Sequence, residues 1–177
     1  IASCLQIHSN HVQYVYKSGV YKNTDGLVTH IDNNISLVIQ TADCVPIFML
    51  DSNQGIIGLI HSGWKGTSTS IILSATSVFS KYGSNMSDIK VYLGPWIQSC
   101  CYEIKNDVSK HFDKKFIFNK NGRLFLDLGL KIQSDLISVG VENGNIFKSD
   151  ICTYENQQFC SYRRDNHKAG RMYSIIG

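Results

Sequence analysis

The 177-residue chain is long enough to bury a substantial core without disulfide or metal support, and with 43% hydrophobic residues its composition is that of a globular protein. Its formal net charge of +3 suits a small anionic ligand, but no long basic run indicates a nucleic-acid surface and no apolar stretch is long enough to span a membrane. With six scattered cysteines and no signal-peptide pattern, we expect one cytoplasmic domain over residues 1–177 with reduced thiols.

The first strand pattern follows a polar turn. In residues 5–16, LQIHSNHVQYVY, apolar and polar side chains nearly alternate after Ser9 and Asn10, which predicts a strand entered through a turn that carries His8. Two further short apolar segments follow, in YKNTDGLVT (21–29) and ISLVIQ (35–40). These patterns predict a sheet built from short strands with short connections.

Residues 41–66, TADCVPIFMLDSNQGIIGLIHSGWKG, form the stretch around which the chain is organised. The apolar runs Val45–Leu50 and Ile56–Ile60 are too short for typical helices and rich in branched side chains, so they predict buried strands. The turn-forming residues between them predict a hairpin. Because the outer ends of a hairpin lie side by side, Cys44 and His61 should meet at one end of the sheet.

The second half of the chain mixes helices with strands. Apolar residues recur every three or four positions over 68–82 and over 128–139, each before a glycine, which predicts two amphipathic helices. We also expect a short helix over 103–112, a hairpin-like excursion over 116–128, and strands over 89–93, 146–154, 159–163 and 171–176. The predicted fold is α+β, with mixed, largely antiparallel β-sheets packed as a sandwich and flanked by helices.

Two chemistries are open for Cys44 and His61. With His8 as a third ligand, one thiolate and two imidazoles would suit zinc and leave a fourth position for water. Without metal, Cys44 as nucleophile and His61 as base would make a cysteine hydrolase or deamidase. The alternative to both is structural, with a small buried cysteine and hydrogen-bonded histidines. The neighbouring Asp43 could carry protons or orient a ligand, or could be an ordinary turn aspartate.

Candidate anion-binding groups lie in two places. Gly63 and Gly66 form a glycine-rich junction between a strand and a helix, where free amides beside Lys65 could hold an anion, although such glycines commonly serve turn geometry. In the tail segment CSYRRDNHKAGRM, Arg163 and its neighbouring arginines could clamp phosphate or lie on a solvated loop.

Six motifs in order resemble the YfiH-like, laccase-domain family: QIH at 6–8, DGLVT at 25–29, TADCVP at 41–46, HSGWKG at 61–66, LGPWIQSCCYEI at 93–104 and FCSYRRD with GRM at 159–172. Members were formerly called multicopper polyphenol oxidases and are now regarded as purine nucleoside phosphorylases with adenosine deaminase activity. The resemblance covers essentially the whole chain. It implies a YfiH-like fold, which is similar to that of the deamidating cysteine-hydrolase toxins.

The resemblance implies a metal site on His8, Cys44 and His61. One cysteine and two histidines supply a single site, and the six histidines of the chain are too few for a multicopper oxidase, so we expect zinc rather than copper. The implied substrates are purine nucleosides and inorganic phosphate. Deamination would use the metal to activate water, with Asp43 as the proton carrier.

Phosphorolysis requires phosphate below the sugar and stabilisation of the departing base. Lys65 or Arg163 could bind the phosphate, and Trp64 or Trp96 could stack on the purine. The chain departs from the family pattern in having HSGWKG where HAGWRG is common, so Lys65 offers charge without a bidentate fork. The resemblance also implies a segment before QIH, most of which we expect the 1–177 domain to lack. A further role attached to the family is the editing of cell-wall precursors.

Overall fold

The computed structural model describes residues 1–177. The strands are Ala2–Leu5 (β1), Val12–Tyr14 (β2), Gly19–Lys22 (β3), Gly26–His30 (β4), Leu37–Thr41 (β5), Val45–Asp51 (β6), Ile56–Ser62 (β7), Lys90–Leu93 (β8), Glu103–Ile104 (β9), Ile117–Lys120 (β10), Arg123–Leu126 (β11), Ile146–Lys148 (β12) and Met172–Ile176 (β13). The α-helices are Trp64–Ser68 (α1), Ile71–Lys81 (α2), Asn106–Ser109 (α3), Leu128–Ser138 (α4) and Tyr162–Asp165 (α5). None of these helices has the length and apolar character needed to cross a bilayer.

The predicted hairpin lies at the centre of a six-stranded sheet with the order β12-β8-β6-β7-β4-β2. β6 and β7 are antiparallel, with Val45 opposite Ser62 and Pro46 opposite His61. Asp51 caps the connecting turn, because its carboxylate accepts hydrogen bonds from the backbone N–H groups of Asn53 and Gln54. The register of the hairpin brings Cys44 and His61 to the same end of the sheet.

A four-stranded sheet, ordered β13-β5-β1-β3, covers one face of the six-stranded sheet. Since side chains alternate along a strand, Ile57 and Leu59 of β7 both point to this face. There they pack in one buried cluster with Leu27 of β4 and with Leu37 and Ile39 of β5. The two sheets thus form the predicted sandwich.

Helices α2 and α4 cover the other face. Ile56 and Ile60 of β7 belong to the larger core of 23 buried residues, together with Phe79 of α2 and Ile132 and Leu136 of α4. A small antiparallel sheet, ordered β10-β11-β9, adjoins this layer, and its β10–β11 hairpin turns at residues 121–122 as predicted. The architecture confirms an α+β fold with mixed sheets.

The helix predicted over 68–82 is divided. α1 ends at Ser68, Ser70 has a left-handed backbone with φ of 65°, and α2 starts at Ile71. An L-residue in this conformation cannot continue a right-handed helix, so the break lies at Ser70. The other predicted amphipathic helix is α4, which Asp127 begins by accepting a hydrogen bond from the N–H of Leu130.

Three boundary predictions were wrong. Residues 103–112 begin as strand β9 and become the one-turn helix α3 only at Asn106. Residues 159–163 form no strand, because the Ser161 hydroxyl accepts a hydrogen bond from the N–H of Arg164 and starts α5. The strand predicted over 146–154 ends at Lys148, beyond which only Cys152 pairs, with Trp96.

Candidate metal centre

The structure brings together the three predicted ligands. His8, Cys44 and His61 each offer a ligand atom, and these atoms all lie within 4.8 Å of one another. The two imidazole rings meet edge to face, with their centroids 4.8 Å apart. His61 is buried, Cys44 is half-buried and His8 is exposed, so the cluster is anchored in the sheet and opens to solvent on the side of His8.

A residue that the sequence interpretation missed, Asp25, orients His61. β4 and β7 are antiparallel with Gly26 opposite Ile60, so the next pair along the register is Asp25 and His61. The His61 backbone N–H donates to the Asp25 carbonyl, and the ring Nδ1–H donates to Asp25 Oδ1 at 2.8 Å. Because Nδ1 is engaged, Nε2 is the nitrogen left to bind a metal.

Asp25 also fixes the loop that carries His8. Its fully buried carboxylate accepts hydrogen bonds from the backbone N–H groups of Ile7, His8 and Ser9 and from the Ser9 hydroxyl. His8 lies in this loop with a left-handed φ of 62°. A single carboxylate therefore sets both the orientation of one imidazole and the position of the other. The DGLVT motif contains this aspartate, but a turn was the only role that its local sequence indicated.

The charges within the cluster support one another. Burial alone would raise the pKa of the Cys44 thiol, but hydrogen bonds and charge from His61 and His8 lower that pKa to about 6. Burial would likewise lower the pKa of His61, but hydrogen bonds with Asp25 and Cys44 raise it to about 9. Burial opposes ionisation of Asp25 too, and its hydrogen bonds with His61 and Ser9 still lower its pKa to about 2. Without metal, the cluster thus favours a thiolate, a carboxylate and a protonated His61. Metal ligation uses the thiolate as it stands and releases the proton of His61 Nε2.

Two glycines allow the surrounding backbone to approach the cluster. A Cβ at Gly63 would lie 2.9 Å from Cys44 Sγ and 3.1 Å from His8 Cδ2. A Cβ at Gly66 would lie 2.7 Å from the Ser9 carbonyl oxygen. The glycines of HSGWKG are therefore needed for close packing against the ligands and the His8 loop. The helix that they open, α1, is a single turn.

Asp43 lies beside the cluster and is bonded to the tail. Its backbone has a φ of 83°, and its buried carboxylate accepts hydrogen bonds from the Thr153 hydroxyl and from the Arg163 backbone N–H, each at 2.7 Å. Both oxygens thus have partners from the C-terminal part of the chain. The predicted proton-carrying role of Asp43 stays a prediction. The sequence did not reveal its hydrogen bonds with Thr153 and Arg163.

The predicted substrate-binding residues lie on segments that border the cluster. Lys65 is exposed, with its Nζ 5.7 Å from the centroid of the half-buried Trp64 ring. The Arg163 guanidinium is exposed, lies 5.3 Å from the centroid of Tyr102 and donates to the Glu103 carbonyl. Burial and the charge of Cys44 raise the pKa of Tyr102 above its usual range, so this phenol stays protonated. Tyr102 had no role in the sequence interpretation. The other tryptophan, at position 96, is buried against the helix layer.

The donor set fits one zinc ion. One thiolate and two imidazoles are three ligands of the kinds that zinc accepts, and three protein ligands leave a position open for substrate or solvent. His61 carries the carboxylate partner that is usual for a zinc-bound imidazole. The cluster of Cys44, His8 and His61 could hold a metal, and it supplies a single site rather than the several that a multicopper centre needs.

Comparison with known proteins shows the family of this chain. The family model described as multi-copper polyphenol oxidoreductase laccase matches residues 1–177. A purine nucleoside phosphorylase from Borreliella burgdorferi is 36% identical, over 97% of this chain and 76% of that protein. An adenosine deaminase named RL5, from an unknown prokaryotic organism, is 33% identical over 88% of this chain and 62% of its own length. The crystal structure of YfiH from Bacillus licheniformis superposes with a TM-score of 0.92 at 33% identity, covering 99% of this chain and 73% of that one. The chain belongs to the multi-copper polyphenol oxidoreductase laccase family.

Proposed function

We propose that this protein is a zinc-dependent purine nucleoside phosphorylase that also deaminates adenosine. The observation that carries the proposal is the convergence of His8, Cys44 and His61, with His61 oriented by a buried carboxylate. Relatives that are 33% and 36% identical bear the names of the two activities, which supports the choice of substrates. Purine nucleosides and inorganic phosphate are then the small-molecule partners.

His8, Cys44 and His61 would hold the zinc ion, which when bound supplies Lewis acidity for polarising a substrate oxygen or activating water. Asp25 holds His61 with Nε2 facing the site and keeps the His8 loop in place. The mild positive charge of the chain favours an anionic co-substrate.

We assign phosphate binding to Lys65 and Arg163 and purine stacking to Trp64. Arg163 uses one guanidinium nitrogen on the Glu103 carbonyl, and its backbone is tied to Asp43, the residue before Cys44. Its other guanidinium N–H groups are available for an anion. Trp64 and Lys65 directly follow Gly63, which packs against Cys44 and His8. Lys65 therefore lies next to the ligand cluster in the chain, as Arg163 does through its hydrogen bond to Asp43.

We assign proton transfer during deamination to Asp43. Asp43 directly precedes Cys44 in the chain. Its carboxylate accepts a hydrogen bond from the Thr153 hydroxyl, a group that can either donate or accept. The aspartate can therefore take up a proton while Thr153 rotates, without losing that contact. Asp43 is the candidate general acid–base, whereas Asp25 is a positioning residue.

Product analysis tests this proposal. Zinc-loaded protein is incubated with adenosine, with and without inorganic phosphate, beside Cys44→Ser and, as a control, Cys160→Ser, a half-buried cysteine outside the cluster. Adenine and ribose 1-phosphate indicate phosphorolysis, and inosine indicates deamination. We expect both products from the wild type and from Cys160→Ser, and a loss of about 100-fold or more in Cys44→Ser. Zinc-loaded wild type that forms neither product contradicts the proposal.

A second candidate, a cysteine hydrolase, is favoured by one observation. The Cys44 thiol has a pKa lowered to about 6 beside His61, and Asp25 orients that imidazole, which is the arrangement of nucleophile, base and orienting carboxylate. This enzyme would work without phosphate and without metal. Activity that survives chelation and is abolished by thiol alkylation would select it over the phosphorylase.

A further inference from the structure

A second cluster of metal-ligating side chains lies outside the proposed zinc site. Cys100, Cys101, Cys152 and Glu155 each offer a ligand atom, and these atoms all lie within 4.8 Å of one another. We propose that these four residues bind a second metal ion, a thiophilic cation of the zinc class. The proposal is independent of the nucleoside chemistry, since it shares no residue with the first cluster.

Backbone pairing between two distant segments assembles the second cluster. Trp96 and Cys152 form a parallel bridge, and the N–H of Thr153 donates to the Trp96 carbonyl at 3.0 Å. A turn follows on each segment. In one, the N–H groups of Cys101 and Tyr102 both donate to the Gln98 carbonyl; in the other, the N–H of residue 156 donates to the carbonyl of residue 152. The first turn presents two adjacent thiols, and the second returns Glu155 towards the third thiol.

The donor set specifies the class of cation. Three cysteine sulfurs and one carboxylate are four protein donors, the number found in closed structural zinc sites. Zinc–sulfur bonds of about 2.3 Å place tetrahedral donors about 3.8 Å apart, so modest side-chain rotation would close this cluster on an ion. Thiolates favour zinc, copper(I) and cadmium over magnesium or calcium. The thiol protons would pass to the solvent on binding.

Other features of the cluster support metal binding over a role in side-chain packing alone. The backbone N–H of Gln98 points at Cys152 Sγ at 3.5 Å, a contact that stabilises a thiolate. Cys152 is buried whereas Cys100 and Glu155 are exposed, so the cluster has both a fixed donor and an open approach for an ion. A disulfide would use only two of the three sulfurs and would leave Glu155 without a role.

An ion here would join the two segments next to the first site. Cys152 precedes Thr153, whose hydroxyl donates to Asp43, and Asp43 precedes Cys44. A metal cross-link between residues 100 and 152 would therefore stabilise the segment that holds Asp43. Its role would be structural, since all four positions are occupied by protein donors.

Cobalt(II) titration of the reduced, metal-free full chain tests this inference. Cobalt bound by thiolate gives a ligand-to-metal charge-transfer band whose intensity grows with the number of sulfur donors. The variants are Cys100→Ser, which removes an exposed thiol of the second cluster, Cys44→Ser for the first cluster, and Cys160→Ser as a control outside both. The stoichiometry and the band intensity are measured for each.

We expect the wild type and Cys160→Ser to bind a second equivalent of cobalt. Cys44→Ser should keep this equivalent and most of the charge-transfer band. Cys100→Ser should bind the second equivalent at least about tenfold more weakly and show a smaller charge-transfer band. Circular dichroism of each metal-free variant shows whether it is folded. Cys101→Ser is the second variant if Cys100→Ser fails to fold. The proposal is overturned if the wild type binds no cobalt beyond an equivalent that is lost in Cys44→Ser. It is also overturned if the equivalent kept by Cys44→Ser has the same affinity and band in folded Cys100→Ser or Cys101→Ser. Both outcomes hold whether or not the nucleoside activity exists.

Discussion

The two ligand clusters differ in what holds their side chains. In the first cluster, Cys44 and His61 lie at the open end of the β6–β7 hairpin. The buried Asp25 carboxylate accepts hydrogen bonds from both His61 and the His8 loop. In the second, the cysteines lie on turns outside the regular strands, where Cys152 takes part in an isolated bridge. The first cluster is therefore fixed by a sheet and a supporting carboxylate, whereas the second depends on two turns.

This difference is the one expected from the two proposed roles. A reaction site gains from ligands held rigidly with one position left open, because displacement of a catalytic group by about 1 Å costs about 100-fold in rate. A structural site can be assembled from flexible turns, because the ion itself orders its ligands. Asp25 is the residue on which the contrast depends, since the second cluster has no equivalent buried carboxylate.

The substitution Asp25→Asn should produce the largest effect. It removes the charge that accepts hydrogen bonds from His61, His8 and Ser9, and an amide cannot satisfy all of these donors. We expect zinc affinity at the first cluster to fall about 100-fold and the free energy of unfolding to fall by about 3 kcal/mol. Competition with a zinc chelator and urea denaturation measure the two quantities.

Asp32→Asn is the matched control, because Asp32 is 85% exposed and contacts a histidine, His30, as Asp25 contacts His61. Its effect on either quantity should be small. Equal zinc affinity in Asp25→Asn and wild type would show that the carboxylate does not support the metal ligands. The second cluster should keep its own affinity in both variants, which would separate the two sites.

Thiol reactivity in metal-free protein provides the second comparison. Cys44 is half-buried, and its pKa is lowered to about 6 by His61 and His8 against the effect of burial. Cys100 is exposed, yet burial of its sulfur and contact with Cys152 raise its pKa to about 11. We expect iodoacetamide at pH 7 to modify Cys44 about 30-fold faster, because the larger thiolate fraction outweighs the lower nucleophilicity.

The pH dependence has a definite sign. Above pH 7 the Cys44 thiolate is nearly fully formed, so its rate should level off, whereas the rate at Cys100 should rise until the pH approaches 11. The ratio of rates should therefore fall as the pH rises. Site-resolved mass spectrometry after short reaction times measures both rates. A Cys100 rate above that of Cys44 at pH 7 would contradict the assignment of a stabilised thiolate to the first cluster.

The hairpin was predictable because its information is local. Two apolar runs and one turn determine β6 and β7, and the register then places Cys44 near His61. The helix break at Ser70 and the strand missing at 159–163 were not predictable in the same way. The apolar positions of α2 begin only at Ile71, and the polar residues 65–70 carry no periodic signal that shows where one helix ends and the next begins. The Ser161 cap depends on a hydrogen bond that its apolar and aromatic neighbours conceal.

The site was predictable only as far as its residue types and the family resemblance allowed. His8 is 36 positions from Cys44, and no periodic pattern joins them. The role of Asp25 depends on which strand pairs with β7, a long-range choice that local sequence does not reveal. The same holds for the second cluster, since the pairing of Trp96 with Cys152 joins segments more than fifty positions apart.

Gly63→Ala should give the smallest of these effects and tests how tightly the first cluster is enclosed. The backbone at Gly63 has a φ of −84°, which alanine adopts without strain, so the only obstacle is the new methyl group. That methyl would lie 2.9 Å from Cys44 Sγ and 3.1 Å from His8 Cδ2. We expect zinc affinity and kcat/KM for adenosine to fall about tenfold, because two ligands must shift by a few tenths of an ångström.

Gly144→Ala is the control, because a Cβ there meets no atom within 4 Å. Affinity and activity should match the wild type in this variant. Thermal unfolding of both metal-free variants distinguishes displaced ligands from a general loss of stability: a Gly63→Ala protein with wild-type melting but weaker zinc binding locates the effect at the ligands. If Gly63→Ala binds zinc as tightly as the wild type, the ligands of the first cluster can shift as freely as those on the turns of the second cluster. The two clusters would then not differ in rigidity.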